Sequence, residues 1–302
     1  MAKRELLSDA EREQLLGIPT ERDDLARLYS FEPTDIDLIH LRREDRNRLG
    51  IGLQMALFRH PGTTLAQVLN RVAEPPQELL SFISEQLGIP AAAIADYAAR
   101  EQTMTDHGRE LAVAFGLRGP ARTDIPFMIE MAANAAWPTD KGDMIAAGVI
   151  DALLQAKILL PSISTIERAG IAGRARARTQ ATHALLSGLG PEKLAMLDAL
   201  FVADPGAGIT SIAWLKAIPE AAKLDHVRDI LGQLRFVRNI GIPAKVSATI
   251  HPDRYRQFVR EGRASPAYLI ERYTAARRRA TLVVLLIDLE ERLTDAAKWP
   301  TS

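Results

Sequence analysis

Arginine is the residue type with the most chemical potential in this chain, and it is grouped. In "HPDRYRQFVREGR", about 100° of helical turn per residue places Arg256 and Arg260 on one face. Arg263 joins them if the helix passes Gly262, with Tyr255, Phe258 and Val259 opposite, toward a core. In "HVRDILGQLRFVRNIG", Leu224, Val227, Ile230, Leu231 and Leu234 read as a buried stripe. Arg228 and Arg235, seven apart, share a neighbouring face, and Arg238 and Asn239 close the helix. In "STIERAGIAGRARARTQATH", Arg174 and Arg178 lie one turn apart and Arg176 points away. In "LIHLRREDRNRLGIGLQMALFRHPG", a helix bearing Arg42 and Arg43 turns into a second carrying Arg46, Asn47, Arg48, Gln54 and Arg59. Arg277, Arg278 and Arg279 stand together near the end.

Arginines on a helix held by an aromatic anchor can grip successive phosphates. Arginine can also pair two-fold with guanine, and asparagine or glutamine with adenine, so the 42–59 stretch fits a helix-turn-helix that reads bases. Each cluster has a plainer alternative. The 256–263 pattern also describes a solvated amphipathic helix, and Glu44 and Asp45 are placed to neutralise their arginine neighbours. The small residues of 164–183 suit close helix packing.

Other chemistries find little support. The six histidines (His40, His60, His107, His183, His226, His251) include no pair at the i, i+4 spacing of helical metal ligands. There is no glycine-rich phosphate loop ahead of a lysine and no G-x-S-x-G elbow. Cysteine is absent, which removes disulfides, thiolate zinc sites and a thiol nucleophile. No cofactor is implied, and the expectation is a chain without catalysis of its own.

The elements that must carry these residues are helices. Ala, Leu, Glu and Arg dominate and period-two alternation is scarce, so the sequence predicts an all-α array of a dozen or more short helices with helix-turn-helix-like subdomains. Ser8 with Glu11 and Ser164 with Glu167 read as capping boxes. Pro252 and Pro266 suit first helical turns, and Gly17, Gly62, Gly88, Gly188 and Gly241 suit helix ends. "AEPPQ" at 73–77 and "LLPSIS" at 159–164 divide the chain into segments 1–73, 77–162 and 163–302, with the loop "ADPGAGIT" at 203–210 inside the third.

The 302 residues carry no net formal charge, yet the charge is uneven. Residues 1–38 hold ten acids against five bases, Lys3, Arg4, Arg12, Arg22 and Arg27. Residues 228–279 hold twelve bases against four acids, Asp229, Asp253, Glu261 and Glu271. Such asymmetry is how a binding face shows in sequence. No apolar run approaches the roughly 20 residues of a membrane span, and "MAKRELLSDAEREQ" lacks the apolar core of a signal peptide. A cytoplasmic location is expected.

In collinear order, "RNRLGIGLQMALFRHPG", "YAAREQTMTDHGRELAVAFGLR", "KILLPSISTIER", "LDALF", "LRFVRNIGI", "IHPDRYRQFVREG" and "ARRRATLVVLLIDLEERLTDAA" resemble the N-terminal region of Tn-three-type transposases, the large replicative transposases of class II bacterial transposons. The resemblance spans nearly the whole chain. It implies a helical region that binds double-stranded DNA at the terminal inverted repeats. It also implies that the Asp, Asp and Glu of the metal-dependent RNase-H-like domain lie downstream, beyond Ser302. "KWPTS" does not look like the family's continuation, so the chain reads as shortened before the catalytic part.

The leading expectation is therefore sequence-specific DNA binding at transposon ends. The alternative is a shortened transposase that pairs with itself or with the intact enzyme. The 282–297 helix motivates that alternative, with Leu282, Leu285, Leu286, Leu289 and Leu293 on one stripe and Val283, Val284 and Ile287 beside it. Its cover comes either from its own segment or from the missing part.

Overall fold

The computed structural model describes residues 5–71, 74–203, 208–217 and 224–297. Lys3, Arg4, the seam residue Ala73, residues 204–207 of the 203–210 loop and the closing KWPTS lie outside them, as does the side chain of Leu224. Among the described residues every extended element is a helix. Two isolated bridge pairs, Arg118 with Ile158 and Ala203 with Thr210, are the sheet-like contacts found there. The all-α expectation is borne out.

By contacts the chain forms two units, residues 1–135 with 140–174, and residues 136–139 with 175–302. The first contains α1 (Asp9–Leu16), α2 (Arg22–Tyr29), α3 (Pro33–His40), α4 (Asp45–Arg59), α5 (Leu65–Leu69), α6 (Gln77–Leu87), α7 (Ile94–Ala98), α8 (Glu101–Ala114), α9 (Ile125–Ala135) and α10 (Gly142–Gln155). The chain passes to the second unit within α11 (Ile163–Leu186). There it forms α12 (Pro191–Ala199), α13 (Ser211–Lys216), α14 (Leu224–Ile240), α15 (Pro252–Ala264), α16 (Ala267–Glu271) and α17 (Ala275–Ala297). At 24 residues α11 is the long, small-residue-rich helix that the stretch up to about Gly188 predicts, and α17, at 23 residues, begins ahead of the expected 282–297 span.

Unit one is built around α4. After a polar first turn, every residue from Leu49 to Phe58 is buried, so the helix is surrounded on all sides over that span. Leu49, Leu53 and Leu57 pack with Leu25, Tyr29, Leu79, Ile83 and Tyr97. Ile51, Met55 and Phe58 face a second cluster with Ile39, Leu111 and Leu159. Gly50 admits the Tyr97 ring, which a Cβ there would strike. The first cluster draws on residues on both sides of the 73–77 seam, because proline punctuation marks a loop and not the edge of a core.

The Ser8–Glu11 capping box forms, with the Ser8 N–H donating to Glu11 at 2.7 Å. Glu167 does not turn back to Ser164. Its carboxylate accepts instead from Arg12, at 2.9 Å, and from the Leu7 N–H. The glycines of α11 serve packing: Gly170 lies against Leu6 and Gly173 against Ala132.

Unit two is built around α17. Leu282 to Ile287, Leu289 and Leu293 are all buried, against α12, α14, α15 and α16. Each large apolar side chain so buried contributes about 1.5–3 kcal/mol. The cover comes from the chain's own second unit, so the apolar helix is not an open face. Arg254 is 2% exposed and donates to the carbonyls of Trp137 (3.3 Å), Thr139 (2.9 Å) and Ala136, holding the 136–139 stretch in this unit.

Candidate nucleic-acid interface

In unit one, α3 ends at His40, so Arg42 and Arg43 sit in the turn before α4 rather than on a helix. Arg42 pairs with Glu110 at 2.6 Å. Arg46 pairs with Glu44, and Asn47 donates to the same carboxylate at 3.3 Å. Arg48 donates through Nε to the Arg42 carbonyl at 2.7 Å and lies 3.5 Å from Asp45. Arg59 joins Asp35 at 2.6 Å, tying the end of α4 to α3. Arg43 is exposed. The turn thus gathers residues 42–48 but pairs three of their four arginines with carboxylates, two of them local and one on α8.

Gln54 is a correction. It is 1% exposed, and its amide donates to the Tyr97 hydroxyl (2.7 Å) and the Met104 carbonyl (2.8 Å). Tyr97 in turn meets His107 Nδ1 at 3.2 Å, and burial pushes the phenol up to about 12. A side chain satisfied in the core cannot reach a base edge. Leu49 to Phe58 are buried throughout, so the accessible residues of α4 are its first turn and Arg59 at its end.

In unit two the arginines divide. Arg277 pairs with Glu261 and stacks 4.1 Å from the Tyr273 ring centroid. Arg278 lies 3.0 Å from Asp198, and Arg279 reaches both oxygens of that carboxylate, at 3.1 and 3.2 Å from Nε. Cations in a helix's first turn oppose its dipole, and Asp198 offsets them. The two guanidinium groups hold the Asp198 carboxyl below its ordinary range. Arg263 donates to Asp288 at 2.8 Å, and Arg256 pairs with Asp253. Arg238 donates to Glu290 (3.2 Å) and Thr294 (3.3 Å) on α17. On α11, Arg174 donates to the Asp140 carbonyl at 3.3 Å, and Arg178 is exposed but partnered. Arg228, Arg235 and Arg260 are exposed and form no ion pair with a described carboxylate, although Arg260 helps depress Asp253.

The α14 stripe differs from the expected one. Ile230, Gln233, Leu234 and Val237 are buried, whereas Val227 and Leu231 are 46% and 47% exposed. At 100° per residue, Arg228, Leu231, Gly232, Arg235 and Asn239 then share the outer face, with Val227 at its margin. The inner face is firmly seated. Gln233 donates to the Trp214 carbonyl at 2.8 Å, and Trp214 meets Phe236 edge-on with ring centroids 5.5 Å apart. Lys193 donates to the Ile240 carbonyl at 3.0 Å, closing the helix end. Sequence reasoning placed Leu231 in the buried stripe and passed over Gly232 and Gln233. The one available signal was Gln233, three residues after Ile230 on the buried side.

Among the described residues no group of three or more His, Cys, Asp or Glu side chains is placed to hold a metal ion, and no helix is long and apolar enough to cross a membrane.

Comparison with known proteins places this geometry in context. The chain is 32% identical to the transposase for transposon Tn3926 of Escherichia coli over 98% of its own length and 29% of that protein's. It is 31% identical to the transposase for transposon Tn21 of Escherichia coli, over 98% of this chain and 30% of the relative. It is 30% identical to the transposase for transposon Tn501 of Pseudomonas aeruginosa, over 95% and 29%. The chain therefore spans less than a third of the length of these curated relatives. A family model described as a domain of unknown function (DUF4158) matches residues 6–173, ending one residue before the first unit does. With more than half of its residues so matched, the chain belongs to the DUF4158 family, and it is homologous over nearly its whole length to part of the Tn3-family transposases.

Proposed function

We propose that the chain binds double-stranded DNA at the terminal inverted repeats of a transposon, as a non-catalytic part of a transposase. One observation carries the reading. α14 is locked on its inner side and on its outer side presents two exposed arginines that pair with none of the described carboxylates. A firmly held helix with an exposed cationic face is the form in which a protein enters the major groove. The homologous proteins are transposases, which supports DNA as the ligand.

In this reading α14 takes the place that the sequence gave to α4. Arg43 and the first turn of α4 (Arg46, Asn47, Arg48), together with Arg42, Arg59, Arg174 and Arg178, supply contacts from their own elements. Arg256 and Arg260 follow phosphates, and Arg238, Arg263, Arg277, Arg278 and Arg279 chiefly hold the framework. Phosphate-directed side chains that trade an internal acid for a phosphate keep their charge in use. The division of the chain into 1–73, 77–162 and 163–302 remains a proposal about sequence segments, with DNA contacts in the first and third.

Fluorescence anisotropy of the chain with a labelled duplex, titrated with salt, tests the function. Six to ten phosphate contacts give a log–log slope of about −5 to −9. Affinity that does not change between low and physiological salt overturns the reading. The second reading, pairing with itself or with intact transposase, cannot use α17 as its surface, since that helix is covered within its own unit. Light scattering of the purified chain, alone and mixed with a full-length relative, checks that second reading.

A further inference from the structure

The outer face of α14 has a spacing that the DNA-binding reading does not by itself require. Arg228 and Arg235 are seven residues apart, and at 1.5 Å per residue that is about 10.5 Å along the axis. The rise between base pairs is about 3.4 Å, so the two guanidinium groups stand about three base pairs apart along a groove. Between them lie Leu231, an apolar side chain left in solvent, and Gly232, whose missing Cβ would meet nothing within 4 Å. Arg238 and Gln233 are engaged elsewhere and fix the helix in rotation. Asp229 lies to one side of this face and Asn239 at its far end.

We infer that α14 reads a short major-groove element in which two guanines about three base pairs apart flank a thymine, with Arg228 and Arg235 on the guanines and Leu231 on the thymine methyl. The inference rests on the DNA-binding function proposed above and adds its specificity. Arginine spans the guanine O6 and N7 acceptors with two donors, which lysine cannot do in the same plane. An exposed leucine costs solvation in the free protein and recovers it against a C5-methyl group. Gly232 lets the helix backbone approach the edge of the groove between the two arginines.

The test is selection of bound duplexes from a random pool, with sequencing, for the full chain and for Arg228→Lys, Arg235→Lys and Leu231→Ser. All three positions are exposed, and circular dichroism melts of the variants should match the parent. The expected parent motif holds two guanines about three positions apart. Each lysine variant should relax one of them by roughly 5- to 100-fold, and Leu231→Ser should relax a thymine between them. A parent motif that the three variants leave unchanged overturns this inference and leaves DNA binding standing. Binding by the parent with no motif does the same, whereas no binding by the parent at any salt overturns both.

Discussion

Gln233 and Trp214 are joined by a 2.8 Å hydrogen bond, the amide of one to the main-chain carbonyl of the other, and this bond fixes which side of α14 faces out. Gln233 is almost fully buried, one position in a stripe that is otherwise Ile230, Leu234 and Val237. A polar residue there serves orientation more than adhesion.

Gln233→Met keeps the volume but leaves the Trp214 carbonyl without its donor. A cost of about 1–2 kcal/mol is expected. DNA affinity should fall while the salt slope holds, because the number of phosphate contacts is unchanged. Chemical denaturation and anisotropy on one preparation check both.

Gly232→Ala should stabilise unit two by roughly 0.5–1 kcal/mol, because the residue is helical and its added methyl meets open space. Gly232→Glu should leave the fold intact and abolish specific DNA binding by setting bulk and negative charge against the groove. Retained binding by Gly232→Glu would remove α14 from the interface.

Gln54→Leu separates core from interface in unit one. The change strands the Met104 carbonyl and takes a donor from the Tyr97 hydroxyl, at a cost of about 1–3 kcal/mol. DNA affinity, measured well below the melting temperature, should not change. A selective loss of affinity at full stability would return Gln54 to the interface.

Acid stability should depend on Asp124. Its carboxylate accepts from Arg118 at 2.6 and 2.8 Å and from the Ala121 N–H at 2.8 Å, and these hold it near pKa 2, below its ordinary 3.8. A depressed carboxyl stabilises the fold above its unfolded pKa and loses that contribution as pH falls through the folded one. The loss should fall between about pH 4 and pH 2 and be absent in Asp124→Asn, which is less stable at neutral pH. Melting temperatures of both proteins across that range give the comparison.

Helicity was legible because it is written locally. The alanine- and leucine-rich composition, the Ser8–Glu11 box and the glycine stops each act within a turn or two. The apolar character of α17 also marked it as a helix that has to be surrounded, whereas the sequence of α4 points to a DNA-facing helix and does not announce its burial from Leu49 to Phe58. For α17 that left open only what did the surrounding.

The fate of each arginine was not legible. Arg279 meets Asp198 from 81 residues away, Arg263 meets Asp288 from 25, and Arg238 meets Glu290 from 52. No local pattern announces such pairs, so a basic count over 228–279 overstated the free charge. The same held for α14, where Val227 and Leu231 belong to the apolar stripe by period alone. Which of two overlapping stripes is buried depends on the neighbours that arrive, here Trp214 and α17, and only the tertiary structure selects them. The sequence by itself determined the helices, the apolar character of α17 and the kinship to transposases. Packing between distant segments decided which arginines are spent on the fold and which remain for a ligand, because an ion pair forms where the chain brings its charges together, however far apart they lie in sequence.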